Sequence, residues 1–409
     1  MSTFSTEDKI QILSDIVGIN TVNDNELEVC EYFQKLFAQH GIDSTIDKVD
    51  ERRANLIAEI GEGSPVIGIS GHMDVVSEGD RDQWSYDPFK LTEKDGFLYG
   101  RGAADMKSGL AALAISLIEI KNANALKQGR IRFLATTGEE VEQKGSAQLH
   151  EKGYMDDVDA LVIAEPSQDF LVYAHKGSMD YRINSTGKSA HSSMPVVGEN
   201  AITPLLSFIR DIDESYAQIT EDVKGKTLDF TNIKEKFKES LSSDISDSEL
   251  ENVLNGLVIS NTIINGGNQV NSVPEAASAE FNIRTIPEYN NEKVKSLFDN
   301  TLERHNAKGA QLESDLYLDL EHVSTSGQNK LVDTAKSIGE RMFDKELKSS
   351  AFGGVTDASN LLRSKDESFP FVVFGPGSGA HQVDEAVEKD MYLKFIDFYI
   401  ELLTTYSTK

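Results

Sequence analysis

A single cysteine, Cys30, in 409 residues excludes any intrachain disulfide and any cysteine-rich metal cluster, and it suits a reducing compartment. Cys30 itself reads as a small buried apolar residue. Positive charge is scarce. Against 68 Asp and Glu stand only 40 Lys and Arg, a net of −28, which disfavours nucleic acid and membrane surfaces as partners. An anionic substrate would therefore have to be captured by local positive charge inside a cleft. No apolar run approaches the roughly 20 residues that span a bilayer, and the longest, near Leu110 to Ile118, reads as a buried helix. Met1 to Asp15 lacks a basic stretch followed by an apolar one, so no secretory signal is expected and a cytoplasmic location is. Low-complexity tracts and internal repeats are missing as well. With 39% hydrophobic residues and scattered Gly and Pro, the chain reads as globular and long enough for two domains.

Two amphipathic helices are expected first. One follows a Ser5/Thr6 cap with Leu13, Ile16 and Val17 on its apolar face; the other starts near Glu26 with Val29, Phe33, Leu36 and Phe37 and stops at Gly41. Short β-branched runs then alternate with helical stretches: Asn55 to Ile60, Pro65 to Ser70, Arg130 to Thr136, Ala160 to Ala164 and Phe369 to Phe374. That alternation predicts an α/β domain with a mostly parallel sheet. Between about Gly177 and Glu321 the order becomes strand, helix, strand, strand, helix, strand, an α+β sandwich inserted into the first domain. The expected division is 1–176 with 322–409 for the first domain and 177–321 for the inserted one. Within the latter, Glu221 to Glu251 is charge-rich and reads as a solvated helical decoration.

The ligand-capable residues fall in a pattern. His72 and Asp74, Glu139 and Glu140, Glu165, and His381 each lie just past the C-terminal end of an expected strand, the edge at which open α/β sheets bind ligands. Asp105 directly precedes the apolar helix, where unpaired backbone N–H groups favour its ionised form. Two His with Asp105, Glu140 and Glu165 make an all N/O donor set in which one carboxylate can join two ions. Zinc fits that set best, with cobalt or manganese as substitutes. Asp74, two residues beyond His72 on an extended segment, is expected to accept the imidazole N–H and fix the tautomer that ligates. Glu139 is expected to face the attacking water as general base. The remaining histidines, His40, His150, His175, His305 and His322, lack such surroundings. Gly375 to Gly379 reads as the turn that aims His381, since no Lys and no helix start follow it.

Taken in order, Ser70-Gly71-His72-Met73-Asp74-Val75-Val76, Gly100-Arg101-Gly102 leading to Asp105-Met106-Lys107, Gly138-Glu139-Glu140, Ala164-Glu165-Pro166 and Gly379-Ala380-His381 resemble one family. It is that of the co-catalytic zinc amidohydrolases and exopeptidases, which includes succinyl-diaminopimelate desuccinylase, acetylornithine deacetylase, aminoacylase and carboxypeptidase G. The resemblance spans nearly the whole chain. It implies a catalytic domain of zinc-exopeptidase type with a ferredoxin-like lid and dimerisation domain, and hence a homodimer. It also implies that His72 and Glu165 hold one metal ion and Glu140 and His381 the other, with Asp105 bridging. Gly187-Lys188-Ser189-Ala190-His191-Ser192 matches the segment whose histidine reaches the partner's active site in dimeric relatives, so His191 is expected to act in trans on the carbonyl oxygen.

Substrate contacts implied by the resemblance are Asn271, Arg284 as a two-pronged partner for a carboxylate, and Gly354 and Thr356 in Gly353-Gly354-Val355-Thr356-Asp357. Two divalent ions outweigh three ligand carboxylates, and Arg284 adds to them, so the cleft can be positive in an acidic protein. Relatives with Glu at the position of Glu165 tend to be deacylases or carboxypeptidases. The expected reaction is hydrolysis of the amide of a small N-acyl amino acid by a metal-bridged hydroxide, foremost N-succinyl-LL-2,6-diaminopimelate; a dipeptidase, carboxypeptidase or acetyl-amino acid deacylase is the alternative. Val355 and Met194 stand where the well-known desuccinylases carry a hydroxyl residue, which leaves the acyl group open.

Overall fold

The computed structural model describes residues 2–167, 169–240 and 245–408. Its first helix, Thr6–Gly18, opens on a reciprocal cap in which Ser5 Oγ accepts from Asp8 N at 3.1 Å and Asp8 accepts from Ser5 N at 2.9 Å. The carbonyls left over at its far end need donors. Lys107 Nζ supplies them, reaching Ile16 O and Ile19 O at 2.8 Å each, and burial pushes that amine down to about 7. Lys107 also begins the apolar helix, Lys107–Asn122, whose residues from Leu110 to Ile118 are all buried. Each fully buried Leu or Ile there contributes about 1.5–3 kcal/mol. Gly109 permits the close approach of this helix to the sheet, because a methyl at that position would stand 2.0 Å from Ala164 O.

The principal sheet has eight strands in the order Ser44–Lys48, Ala54–Glu62, Gly129–Thr136, Val66–His72, Ala160–Pro166, Phe371–Gly375, Phe170–His175 and Lys348–Phe352. Val66–His72 pairs in parallel with Gly129–Thr136 and with Ala160–Pro166, which pairs in parallel with Phe371–Gly375. These four strands share one C-terminal edge. Ala54–Glu62 runs antiparallel to Gly129–Thr136, and Ser44–Lys48 antiparallel to Ala54–Glu62. The sheet is thus mixed and mainly parallel, and two of its strands, Ser44–Lys48 and Lys348–Phe352, lack the apolar runs by which the others are recognised.

The chain divides into two units: Met1–Tyr173, Thr325–Ser350 and Thr356–Lys409 in the first, Ala174–Ser324 and Ala351–Val355 in the second. The second unit is built on a four-stranded antiparallel sheet in the order Val258–Gly266, Ala276–Thr285, Gly177–Thr186, Leu312–Leu320. Helices Ile202–Asp222 and Asn291–Asn306 complete a β-α-β-β-α-β order. Burial alternates along Ala276–Thr285, so Ala277, Ala279, Phe281 and Ile283 face a core with Phe208 and with Phe298, whose ring stacks on Tyr181 at 4.5 Å.

The segment from Glu221 to Glu251 departs from a solvated decoration. Its described part holds helix Thr231–Ser240 and the start of helix Asp247–Asn255, which runs beyond it, and Leu228, Phe230, Ile233 and Leu250, with Leu254 just past its end, are buried. Residues 241–244 of that segment lie outside the described residues. Lys176, 2% exposed, donates to Val253 O and Gly256 O at the end of the second helix, and Asp229 O accepts from Ala351 N. Packing of apolar side chains at helical spacing outweighed the charge of the remainder. Among the described residues no helix is long and apolar enough to cross a membrane.

Candidate metal centre

The shared edge of the four parallel strands gathers residues from across the chain. Val66–His72 ends in His72, 1% exposed; Gly129–Thr136 runs into the turn Gly138-Glu139-Glu140; Glu165 closes its strand, and His381 follows the loop after Phe371–Gly375. Gly377 in that loop has φ +101°, and a side chain there would press on the Ala104 backbone at 2.9 Å.

Asp105 lies between the two histidines. His72 Nε2 is 3.2 Å from Asp105 Oδ1 and 3.6 Å from Glu165 Oε1, whereas His381 Nε2 is 3.4 Å from Asp105 Oδ2 and 2.9 Å from Glu140 Oε1. Each carboxylate oxygen of Asp105 therefore faces a different His–Glu pair. Two ligands bound tetrahedrally at about 2.0–2.1 Å from one ion stand roughly 3.3 Å apart, so these separations suit divalent cations. Donor atoms of His72, Glu139 and Glu165 also lie within 4.8 Å of one another, as do those of His72, Asp105 and Glu140.

The electrostatics point the same way. Burial, with the charge of Glu165 added, holds Glu139 well above the usual carboxylate range, and burial raises Glu165 to about 8. Burial would raise Asp105 too, but hydrogen bonds from His381 and His72 win and hold it low. Asp105 and Glu140 lift His381 to about 10; for His72, burial opposes and the Glu165 and Asp105 carboxylates prevail, so its pKa is well raised. Negative charge thus exceeds nearby positive charge, and a cluster of this kind competes for protons until cations replace them.

Asp74 does something other than expected. Its carboxylate is 3.6 Å from His72 Nδ1, which instead sits 2.9 Å from the Asp74 backbone carbonyl. That carbonyl fixes the tautomer, leaving Nε2 for a metal. The carboxylate accepts from the backbone N–H groups of Gly138 at 2.9 Å, Glu139 at 3.1 Å and Glu140 at 3.0 Å. Asp74 therefore shapes the turn that presents both glutamates.

Gln143, buried and in left-handed conformation at φ +52°, donates Nε2 to Glu139 Oε1 at 2.8 Å. Nothing in its position along the sequence signals this. The same holds for Asp357, whose Oδ2 accepts from Thr136 Oγ1 at 2.5 Å and which burial raises to about 6. Thr356 lies buried beside it in the first unit. His191, Asn271, Arg284 and Gly354 belong to the second unit. His191 is exposed and pairs through Ala190-His191 with Ser272-Val273, beside Asn271, while Arg284 is on the strand Ala276–Thr285 opposite Ser178 and Val258.

A mainly parallel sheet carrying two His–carboxylate pairs about one shared aspartate defines a metallohydrolase. A family model, "Peptidase family M20/M25/M40", matches residues 68–405, and the chain belongs to that family, whose members hydrolyse amide bonds. It is 47% identical over 409 residues to "Probable succinyl-diaminopimelate desuccinylase" of Staphylococcus aureus, covering 99% of both chains. It is likewise 47% identical to the protein of that name in Staphylococcus epidermidis, covering 100% of both. Among solved structures, an M20 family metallo-carboxypeptidase from Sulfolobus solfataricus superposes with a TM-score of 0.81 at 18% identity, covering 98% of this chain and 100% of that one, a likeness of fold.

Proposed function

We propose that this chain is a succinyl-diaminopimelate desuccinylase that holds two divalent ions, zinc foremost, with His72 and Glu165 on one, Glu140 and His381 on the other and Asp105 between them. The observation that carries the metal assignment is the split of Asp105, one oxygen toward each His–Glu pair. The relatives that match end to end at 47% identity carry the substrate assignment.

When bound, the ions polarise the scissile carbonyl and lower the pKa of the attacking water. Glu139 takes the proton from that water and returns it to the amide nitrogen as the C–N bond breaks and a C–O bond forms, releasing succinate and the free amine. Glu165 and Asp105 already face His72, which leaves Glu139 available as base, with one oxygen held by Gln143. Arg284 receives a substrate carboxylate in a two-pronged contact, with Asn271, Gly354 and Thr356 lining the remainder. The partner subunit's His191 stabilises the carbonyl oxygen in a homodimer formed through the inserted unit. Apolar side chains around His191 and Asn271 support that pairing: Val196 is 83% and Val270 101% exposed. A cytoplasmic setting fits a chain with one buried cysteine.

The test offers the purified protein N-succinyl-LL-diaminopimelate, N-acetyl amino acids and dipeptides with free amino termini, with and without a chelator. The succinylated substrate is expected to give the highest kcat/KM, and only in the metal-loaded protein. Preference for free dipeptides would replace the reading with a dipeptidase, and turnover after complete metal removal would end it.

A further inference from the structure

We propose that Glu385, with Arg101 as its counter-charge, is a positioning residue that fixes the Asp105 loop against the His381 loop and so sets the affinity of the metal centre; this rests on the metal assignment above but not on the substrate. Glu385 is 2% exposed and lies four residues beyond His381. Its Oε1 accepts from the backbone N–H groups of Ala104 at 2.9 Å and Asp105 at 3.0 Å. Its Oε2 pairs with Arg101 Nη1, and Gly100 N donates to its backbone carbonyl at 2.9 Å. One side chain thus grips the residue between the two histidines and the start of the loop that carries it.

The ion pair is itself enclosed. Arg101, 2% exposed, lies 5.1 Å from the centre of the Trp84 ring and donates Nη2 to Ser77 O at 3.2 Å. On the other loop Asp384 accepts from Ser85 N and Oγ, both at 2.7 Å. His381 and Asp384 are non-glycine residues at φ +63° and +57°. Such conformations persist only where the surroundings over-determine them, and Asp384 and Glu385 supply the holding contacts for this segment. A buried pair that served stability alone would have no need to spend one carboxylate oxygen on the N–H of Asp105.

That distinction can be read by separating charge from hydrogen bonding. In the double variant Arg101→Met, Glu385→Gln the buried charges are gone but an oxygen remains to accept from Ala104 and Asp105; in Arg101→Met, Glu385→Leu the acceptor is gone too. Zinc affinity is measured by competition with a chromophoric chelator, and thermal unfolding is followed on the stripped proteins. Outer-shell partners of ligands typically govern about 10–100-fold in metal affinity. The Leu variant is expected to bind zinc at least about tenfold more weakly than the Gln variant, with stripped-protein midpoints alike. Equal zinc affinities, or a loss matched by an equal loss of stripped-protein stability, would overturn the proposal. Should the Leu variant fail to fold, Glu385→Asp alone, which keeps the charge but withdraws the oxygens by one methylene, is expected to weaken zinc by a similar factor, and unchanged affinity there overturns it as well. Neither readout uses an acylated substrate, so failure of the desuccinylase reading leaves the test intact.

Discussion

The two units bury and expose opposite things. In the first, charged groups are inside: His72, Asp74, Arg101, Lys107 and Glu385 are each 2% exposed or less, and each has partners held at hydrogen-bond distance. In the second, the core is apolar and aromatic, built on Met179, Tyr181, Phe208, Phe281 and Phe298, while Val196, Val197 and Val270 face outward. Buried charge is costly unless compensated, so its concentration at one sheet edge marks where the fold serves chemistry rather than stability. Exposed aliphatic side chains in the other unit are of the kind that suits association, the basis of the homodimer proposed above. The difference separates the buried charged cluster of one unit from the apolar core and exposed valines of the other.

The hardest blow to this division is dealt at Glu139. Glu139→Ala should lower kcat by about 10²–10⁴-fold, the usual worth of a positioned base, while zinc content measured by elemental analysis stays at the level of the parent. Unchanged turnover would remove the first unit's claim to the chemistry, and lost zinc would make Glu139 a ligand instead of the base.

The second unit has exceptions of its own, Lys176 and His175, and the histidine sharpens the contrast. His175 is fully buried, and burial lowers its pKa from 6.5 to about 4. Its folded-state pKa lies below the unfolded one, so between those values the unfolded chain binds more protons. Stability is then unaffected above pH 6.5, declines as pH falls from 6.5 toward 4, and levels off below, a total of about 3 kcal/mol. Here burial is the largest cause; His175 Nδ1 lies 2.8 Å from Lys176 O, which raises the pKa, and the His322 and Arg284 charges lower it further. The difference in chemical-denaturation stability between the parent and His175→Asn should vary with pH in that window and be flat above it; a difference that ignores pH would show that His175 is not held neutral.

The elements that position the site were legible because each carried a local signature. The runs ending at Ser70, Thr136, Ala164 and Phe374 are apolar and β-branched, and once they are parallel, His72, Glu139, Glu140, Glu165 and His381 must emerge on one edge. Ser44–Lys48 and Lys348–Phe352 are short and half-polar, so periodicity passed over them. Side-chain partners were out of reach for a different reason. Asp74 has several donors within range, and only the path of the turn decides for Gly138 to Glu140 over the ring of His72. Arg101 and Glu385 are separated by 284 positions, and no pattern in one segment names a partner in another. The Glu221 to Glu251 segment shows the reverse failure: Phe230, Ile233 and Leu250, with Leu254 just beyond it, carry the amphipathic spacing, but charge dominated its composition.

The smallest expected effect concerns the exposed aliphatics. Replacing Val196 and Val270 by Asp places charge on side chains that are 83% and 101% exposed, so the monomer fold should be untouched. If these residues pack against a second copy, each carboxylate must be desolvated there, and the dimer dissociation constant should rise by about tenfold or more, some 1.4 kcal/mol. Sedimentation velocity over a concentration series measures that change, and zinc titration of the same variant should match the parent. A dimer that ignores both substitutions would place its interface elsewhere on the molecule. Weakened zinc binding in a folded variant would show that the two units do not divide their tasks as their buried and exposed surfaces indicate.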